Sequence, residues 1–219
     1  MQAKKKIVYG IFGVFVAAGL TAGCQSVYYD TMEKLGVQKR EILVDRVQDA
    51  RDEQTEAKEQ FQSALQKFSS VVNFDGGQLE EKYEELNAAF RRCEDQAAAV
   101  SDRIAAVEDV GEALFDEWQA ELNQYSNAEL REASRRKMVD TRRQYDRLVR
   151  SMRRAEDKID PVLDTFRDQV LFLKHNLNAR AVASLQTELR AIETDVAALI
   201  REMEAAIAEA DGFIKTMET

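Results

Sequence analysis

Histidine, cysteine and carboxylate side chains are the commonest catalytic and metal-binding groups, and this sequence does not arrange them for either role. His175 is the only histidine, and no partner stands near it at the spacing of a zinc site. Cys93 falls on an apolar repeat, which favours a small buried side chain over an exposed thiol able to form an intermolecular disulfide. The carboxylates fall on expected solvent-facing positions. We therefore expect no enzyme, cofactor, metal or small-molecule substrate.

The second cysteine, Cys24, stands where a lipid would be attached. Lysines at positions 4–6 precede an apolar run, residues 7–20, which has the length of a signal-peptide core and is shorter than the roughly 20 residues of a spanning helix. The run ends in Leu20-Thr21-Ala22-Gly23-Cys24, which resembles the lipobox of bacterial lipoproteins, although Thr21 replaces the usual leucine. We expect cleavage before Cys24 and a diacylglycerol on its thiol. The alternatives are an ordinary secretory signal and a short uncleaved anchor.

The anchor predicts a location and a division of the chain. More than one acyl chain is needed for stable membrane attachment, and a lipid-modified bacterial cysteine supplies them. Gln25, rather than aspartate, follows Cys24, which favours an outer-membrane lipoprotein facing the periplasm if the host has two membranes. We expect a signal peptide in residues 1–23, a lipidated N-terminus and linker in residues 24–38, and a helical domain in residues 39–219.

A basic segment interrupts an otherwise acidic chain. The net charge of −9 becomes −12 once the three signal lysines are removed, which argues against a nucleic-acid partner. Residues 131–158 nevertheless hold eleven basic against five acidic side chains. Five arginines there share one helical stripe: Arg136, Arg143, Arg147, Arg150 and Arg154. We favour pairing with acidic residues of a neighbouring helix; the alternative is a docking face for lipopolysaccharide, phospholipid headgroups or an acidic protein.

The elements that must carry these residues are long helices. Apolar residues return every seven positions in four successive segments, which predicts left-handed coiled-coil packing. In the second segment the repeat consists of Leu79, Leu86, Cys93, Val100, Val107 and Leu114. The single proline and nine glycines of the chain also favour uninterrupted helices.

Short breaks separate the four segments. Gly76 and Gly77 turn the chain after the first, Ser126 with Glu129 resembles a capping box that starts the third, and residues 176–178 precede the fourth. Pro161 predicts a kink within the third helix. The result is an all-α fold: long antiparallel helices of about 34, 47, 50 and 38 residues in a coiled-coil-like four-helix bundle, up-down-up-down.

The unequal helix lengths predict a projecting hairpin. The second and third helices should extend past the other two by about ten residues, or about 15 Å, at the end opposite Gly76. That hairpin carries Phe115, Trp118 and Tyr125 beside four cationic side chains: Arg131, Arg135, Arg136 and Lys137. We favour a cover formed by residues preceding the first helix, namely Tyr28, Tyr29, Met32 and Leu35; the alternative is contact with a membrane interface.

Three stretches of the sequence carry a family resemblance. They are Tyr28-Tyr29 through Gly36 to Lys39-Arg40-Glu41-Ile42-Leu43-Val44-Asp45-Arg46-Val47, then Leu114-Phe115 with Glu117-Trp118, then Pro161-Val162-Leu163 through Asp168 to Ala179. Together they resemble the domain of unknown function 2959 family of proteobacterial lipoproteins. The resemblance implies a helical, coiled-coil-rich envelope protein and supplies no activity and no catalytic residues.

These features favour a non-enzymatic, lipid-anchored scaffold or adaptor of the cell envelope that binds a protein partner or itself through coiled-coil surfaces. One alternative is a membrane-active protein whose amphipathic helices rearrange onto a bilayer, as in helical pore-forming toxins. Another is a binder of a small ligand or of peptidoglycan, which would need a polar cavity between the helices.

Overall fold

The computed structural model describes residues 38–218 apart from Asp75 and Gly77, and this part of the chain is helical without strands. Its elements are α1 (Lys39–Val72), α2 (Leu79–Glu121), a short 3₁₀ turn (Leu122–Gln124), α3 (Ala128–Glu156), α4 (Ile159–His175) and α5 (Ala179–Glu218). No helix in this range is both long enough and apolar enough to cross a membrane.

The break between α3 and α4 is local. Asp157 and Lys158, which link the two helices, both keep right-handed helical backbone angles. Pro161, the third residue of α4, has no N–H to donate to the carbonyl of Asp157, and its ring crowds that carbonyl. The kink expected at Pro161 is therefore an interruption at residues 157–158, and α3 with α4 forms one of four helical segments.

The first turn follows the glycine prediction. α1 ends at Val72, and Gly76 has a φ of 135°, a conformation that side chains with a Cβ rarely adopt.

The start of α3 differs from the prediction by one residue. Its N-cap is Asn127, whose side-chain oxygen accepts hydrogen bonds from the backbone N–H groups of Glu129 at 2.8 Å and Leu130 at 3.1 Å. Ser126 is therefore not the cap, and Glu129 stands at the second helical position rather than the third, so no capping box forms. Asparagine and serine are about equally favourable as N-cap residues, so residue type alone did not distinguish Ser126 from its neighbour Asn127.

Ion pairs between α1 and its neighbours show how these helices run. Two pairs join α1 to α2, Lys39–Glu117 at 3.1 Å and Lys67–Glu85 at 2.9 Å. Two others join α1 to α5, Arg51–Asp211 at 3.1 Å and Lys58–Glu204 at 3.5 Å. In both cases the numbers rise along one helix as they fall along the other, so α1 is antiparallel to α2 and to α5.

The third helical segment is related to α2 and α5 in the same way. Against α2, Trp118 donates a hydrogen bond to Ser134 of α3, and Glu94 pairs with Arg167 of α4, further along the segment. Against α5, Tyr145 contacts Phe213 and Arg154 pairs with Glu202, so the numbers again rise along one helix as they fall along the other. α1 packs against α2 and α5, whereas α3 and α4 pack between α2 and α5 on the other side. These contacts are compatible with an up-down-up-down four-helix bundle.

The predicted apolar seams form the core over most of their length. Ile104, Leu148 and Leu199, each from a different helical segment, are fully buried. Trp118 and Met138 are only half-buried, although they continue the same repeats. Both lie towards one end of the α2–α3 hairpin, where α1 and α5 no longer accompany it.

Candidate functional site

The predicted stripe lies on the exposed surface of α3. Among the residues that the structure describes, Arg136 and Arg143 form ion pairs only within their own helix, with Glu132 at 3.5 Å and Asp140 at 3.3 Å. Arg154 reaches Glu202 of α5 at 3.5 Å. Surface pairs of this kind are weak because water competes for both charges.

Arg147 and Arg150 form the central part of the stripe and are exposed. Arg147 donates to the backbone carbonyl of Arg143 at 3.4 Å. Within the described residues neither guanidinium lies within ion-pair distance of a carboxylate. Of the five arginines, only Arg154 shows the pairing between helices that the sequence analysis favoured.

Other arginines of the basic segment do connect helices. Arg153 forms a bidentate ion pair with Glu108 of α2 and a second pair with Glu156 at 2.6 Å. These carboxylates raise the pKa of Arg153, and the main cause is the hydrogen bonding that Arg153 donates to Glu108. Arg142 lies over the ring of Phe115, with 4.8 Å between the guanidinium carbon and the ring centre. Neither Arg142 nor Arg153 belongs to the predicted stripe. Both lie beside the buried apolar seam of α3, on the side that faces α2, and this position next to the seam is the sequence signal that indicates a contact with α2.

A close contact between α2 and α3 holds the stripe in orientation. Tyr145 is buried, and its hydroxyl donates towards the carbonyls of Val107 at 3.4 Å and Glu108 at 3.3 Å. Burial raises the pKa of this phenol, so it stays a donor at neutral pH. Its ring lies against Gly111, where a Cβ would overlap it. The seam side of α3 is thus fixed against α2, and Arg150, at the edge of the stripe, lines a surface groove together with Tyr145 and Glu108.

The end of the α2–α3 hairpin is a second candidate surface. We define the projecting hairpin as residues 118–140. The indole nitrogen of Trp118 donates to the Ser134 hydroxyl at 2.9 Å and so links α2 to α3 within the hairpin. Leu122 is its one buried residue, and the first buried residue of α3 is Thr141. Phe115, which was predicted to lie in this hairpin, is instead buried against Tyr145 in the core.

Apolar and cationic side chains are exposed together on this projecting hairpin. The exposed fractions are 38% for Tyr125, 57% for Leu130 and 38% for Val139. Four cations accompany them: Arg131, Arg135, Arg136 and Lys137. The predicted cover by Tyr28, Tyr29, Met32 and Leu35 lies outside the described residues, as does the predicted lipid site at Cys24.

The two remaining candidate residues, Cys93 and His175, lie in positions typical of structural side chains. Cys93 is fully buried, as predicted, and burial raises the pKa of its thiol to about 12, which keeps it protonated and unreactive. His175 is exposed in the last turn of α4, where a cation is favourable to the helix dipole. The described residues contain no cluster of three or more histidine, cysteine or acidic side chains able to hold a metal ion.

Comparison with curated proteins found no match. The family described as "Protein of unknown function (DUF2959)" matches residues 28–217, which include all the helices but the last residue of α5. The chain belongs to this family, as the three sequence stretches indicated.

Proposed function

We propose that this protein is a non-enzymatic, lipid-anchored scaffold or adaptor of the cell envelope, and that its basic stripe binds an acidic surface of a partner protein or of a second copy. The observation that carries the proposal is the state of Arg147 and Arg150, which are exposed on one face of α3 without a carboxylate partner in the described part of the chain. Guanidinium groups left free in this way can form bidentate bonds to carboxylates of another protein.

Electrostatics makes such a stripe useful for recognition. Each exposed ion pair contributes only about 0.2–1 kcal/mol, so no single arginine would hold a partner. Several on one rigid face act together and also accelerate the encounter with an acidic surface. The chain as a whole is acidic, so this basic face differs in charge from most of the remaining surface.

The helical frame supports a presenting role. We propose that the four helical segments form an up-down-up-down bundle with coiled-coil-like packing, in keeping with the antiparallel ion pairs of α1 and with the buried seams. α2 alone has 43 residues, or about 65 Å at helical rise. A frame of this length would hold the central arginines of the stripe, Arg147 and Arg150, well away from either end of the bundle.

The anchor in this proposal is the acylated Cys24, in the outer membrane and facing the periplasm if the host has two membranes. Its support is the lipobox-like stretch and the following Gln25. Acyl chains provide attachment without a spanning helix, and the 13 residues between Cys24 and Gln38 provide a tether.

Charge reversal with a matched control tests the stripe. Arg143→Glu, Arg147→Glu and Arg150→Glu together change the net charge by six units, and so do Arg180→Glu, Arg190→Glu and Arg201→Glu on exposed positions of α5. A photo-crosslinking residue in place of Asp140, beside the stripe, reports the partner in intact cells by mass spectrometry. We expect one dominant crosslink, reduced at least tenfold by the stripe reversal and retained with the α5 reversal.

Two results would contradict the proposal. One is crosslinking that survives the stripe reversal or falls equally in the control; the other is leakage of dye from vesicles caused by the unlipidated helical domain, which would favour the membrane-active alternative. A crosslink between two copies would identify self-association as the interaction. A melting temperature unchanged by the stripe reversal, as we expect, would show that these arginines do not stabilise the bundle itself.

A further inference from the structure

We infer that the projecting hairpin, residues 118–140, is a membrane-contacting tip that docks on the headgroup layer of the membrane holding the lipid anchor. The inference rests on the lipid anchor of the proposed function. It adds to that anchor a second, weaker contact with the same membrane, made by the protein itself.

The geometry places the hairpin beyond the ends of both neighbouring helices. α1 begins at Lys39, which pairs with Glu117, so the residues of α2 after Glu117 have no α1 beside them. Tyr145 of α3 lies 6.3 Å from Phe213 of α5, ring centre to ring centre. α5 ends five residues later, and the residues of α3 before Thr141 are all partly or fully exposed. The hairpin thus extends about ten residues, or about 15 Å, past the four-helix part.

The chain position favours a membrane as the occupant. The polypeptide enters α1 at the end of the bundle from which the hairpin projects, and Cys24 lies 14 residues before Gln38. A fully extended tether of that length spans at most about 50 Å. An acyl anchor at Cys24 keeps the hairpin at a high effective concentration near the bilayer, so even a weak contact would be populated.

The side chains of the tip suit an interface better than a bilayer interior. Leu130 offers an exposed aliphatic side chain and Tyr125 an amphipathic ring of the kind enriched at headgroup depth. Arg131 and Lys137 form no ion pair within the described residues and can bind lipid phosphates.

The acidic residues of the tip limit how deeply it can insert. Glu132 is occupied by Arg135 at 2.7 Å and by Arg136 at 3.5 Å, whereas Glu121 and Glu129 are exposed. Their charge favours shallow contact through apolar and phosphate interactions over insertion into the acyl region.

Single-cysteine labelling tests the contact with a control at the other end of the bundle. Leu130→Cys and Leu171→Cys replace two leucines with exposed fractions of 57% and 52%, while Cys93 is buried and an acylated Cys24 has no free thiol. Each full-length, lipidated variant carries an environment-sensitive fluorophore and is reconstituted in phosphatidylethanolamine–phosphatidylglycerol vesicles (3:1) containing a headgroup-labelled quencher. We expect at least twofold quenching at position 130 and less than 10% at position 171.

The same preparation separates failure of the tip from failure of the anchor. Mass spectrometry of the purified protein reports the acyl group, and vesicle flotation reports attachment. An unacylated Cys24 would overturn the anchor itself. An acylated protein that floats with vesicles but shows equal quenching at positions 130 and 171 would overturn the membrane-contacting tip alone. Charge reversal of Arg131 and Lys137 to glutamate should reduce the quenching at position 130 without affecting flotation.

Discussion

At the scale of single residues, Gly111 determines how closely α2 and α3 approach. The Tyr145 ring occupies the space that a side chain at position 111 would fill, and its hydroxyl reaches two carbonyls of α2. Gln54 shows the opposite situation: it is buried in the core, and its amide has no hydrogen-bond partner among the described residues. Gly111 falls four residues after Val107 and three before Leu114 of the heptad repeat, but that spacing carried no information about which side chain would lie against it.

A pair of glycine substitutions tests this contact. We expect Gly111→Ala to destabilise the protein by about 1–3 kcal/mol because the new methyl group overlaps the Tyr145 ring. Gly212→Ala, in α5 with open space around the position, should stabilise it by roughly 0.5–1 kcal/mol because alanine favours the helix. Chemical denaturation followed by circular dichroism measures both; the same sign for the two substitutions would contradict the close approach.

At the scale of the helices, the ends of α3 decide where the hairpin tip and the α4 segment begin. Asn127 satisfies two backbone N–H groups at the start of α3, and Asn178 does the same at the start of α5 for Arg180 and Ala181, each at 3.1 Å. Pro161 interrupts the hydrogen bonding after α3 without turning the chain into a loop. The starts of α3 and α5 therefore both depend on an asparagine side chain that accepts hydrogen bonds from the first free backbone N–H groups of the helix.

Substitution of the cap tests its assignment. Asn127→Ala should destabilise the start of α3 by about 1 kcal/mol because two N–H groups lose their acceptor. Ser126→Ala is the matched control and should have almost no effect, since the Ser126 side chain is exposed and makes no cap. Hydrogen exchange of the amides in residues 128–134 is the measurement; faster exchange in the serine variant than in the asparagine variant would restore the capping box.

At the scale of the whole molecule, the described helices divide into a four-helix part and a two-helix projection. The seams are buried where all four segments run together, and the same repeat becomes half-buried or exposed along residues 118–140. An apolar residue of the repeat is therefore a core residue where all four helical segments surround it, and a surface residue where only α2 and α3 are present. The stripe runs along α3, and its first arginine, Arg136, lies within the tip.

Two aspartate substitutions distinguish these regions. Leu199→Asp would place an unpaired charge in the fully buried seam of α5, and we expect it to lower stability by several kcal/mol and to unfold the bundle. Leu130→Asp, at an exposed position on the tip, should change the melting temperature little. Thermal unfolding followed by circular dichroism compares them, and similar effects of the two changes would show that the core is not where the seams place it.

The sequence carried enough information for the fold class and for most helix boundaries. Heptad spacing is local and repeats over the whole chain, so it identified four helical segments, the turn at Gly76 and the buried state of Cys93. Family membership also followed from short stretches, because their residue order is distinctive. The lipid anchor, the scaffold role and the partner rest on motifs and charge, and the experiments above address them.

Tertiary contacts settled what local patterns left open. A stripe of arginines has the same spacing whether its charges are paired or free. Only the positions of carboxylates on α2 and α5 show that Arg153 is paired between helices, whereas Arg147 and Arg150 have no such pair in the described part of the chain. Likewise, Met138 and Leu148 both fall on the apolar repeat of α3. Leu148 is fully buried because α5 covers it, whereas Met138 is half-buried because α5 ends before reaching it. Burial and charge pairing depend on residues distant in the chain, which is why they required the assembled helices.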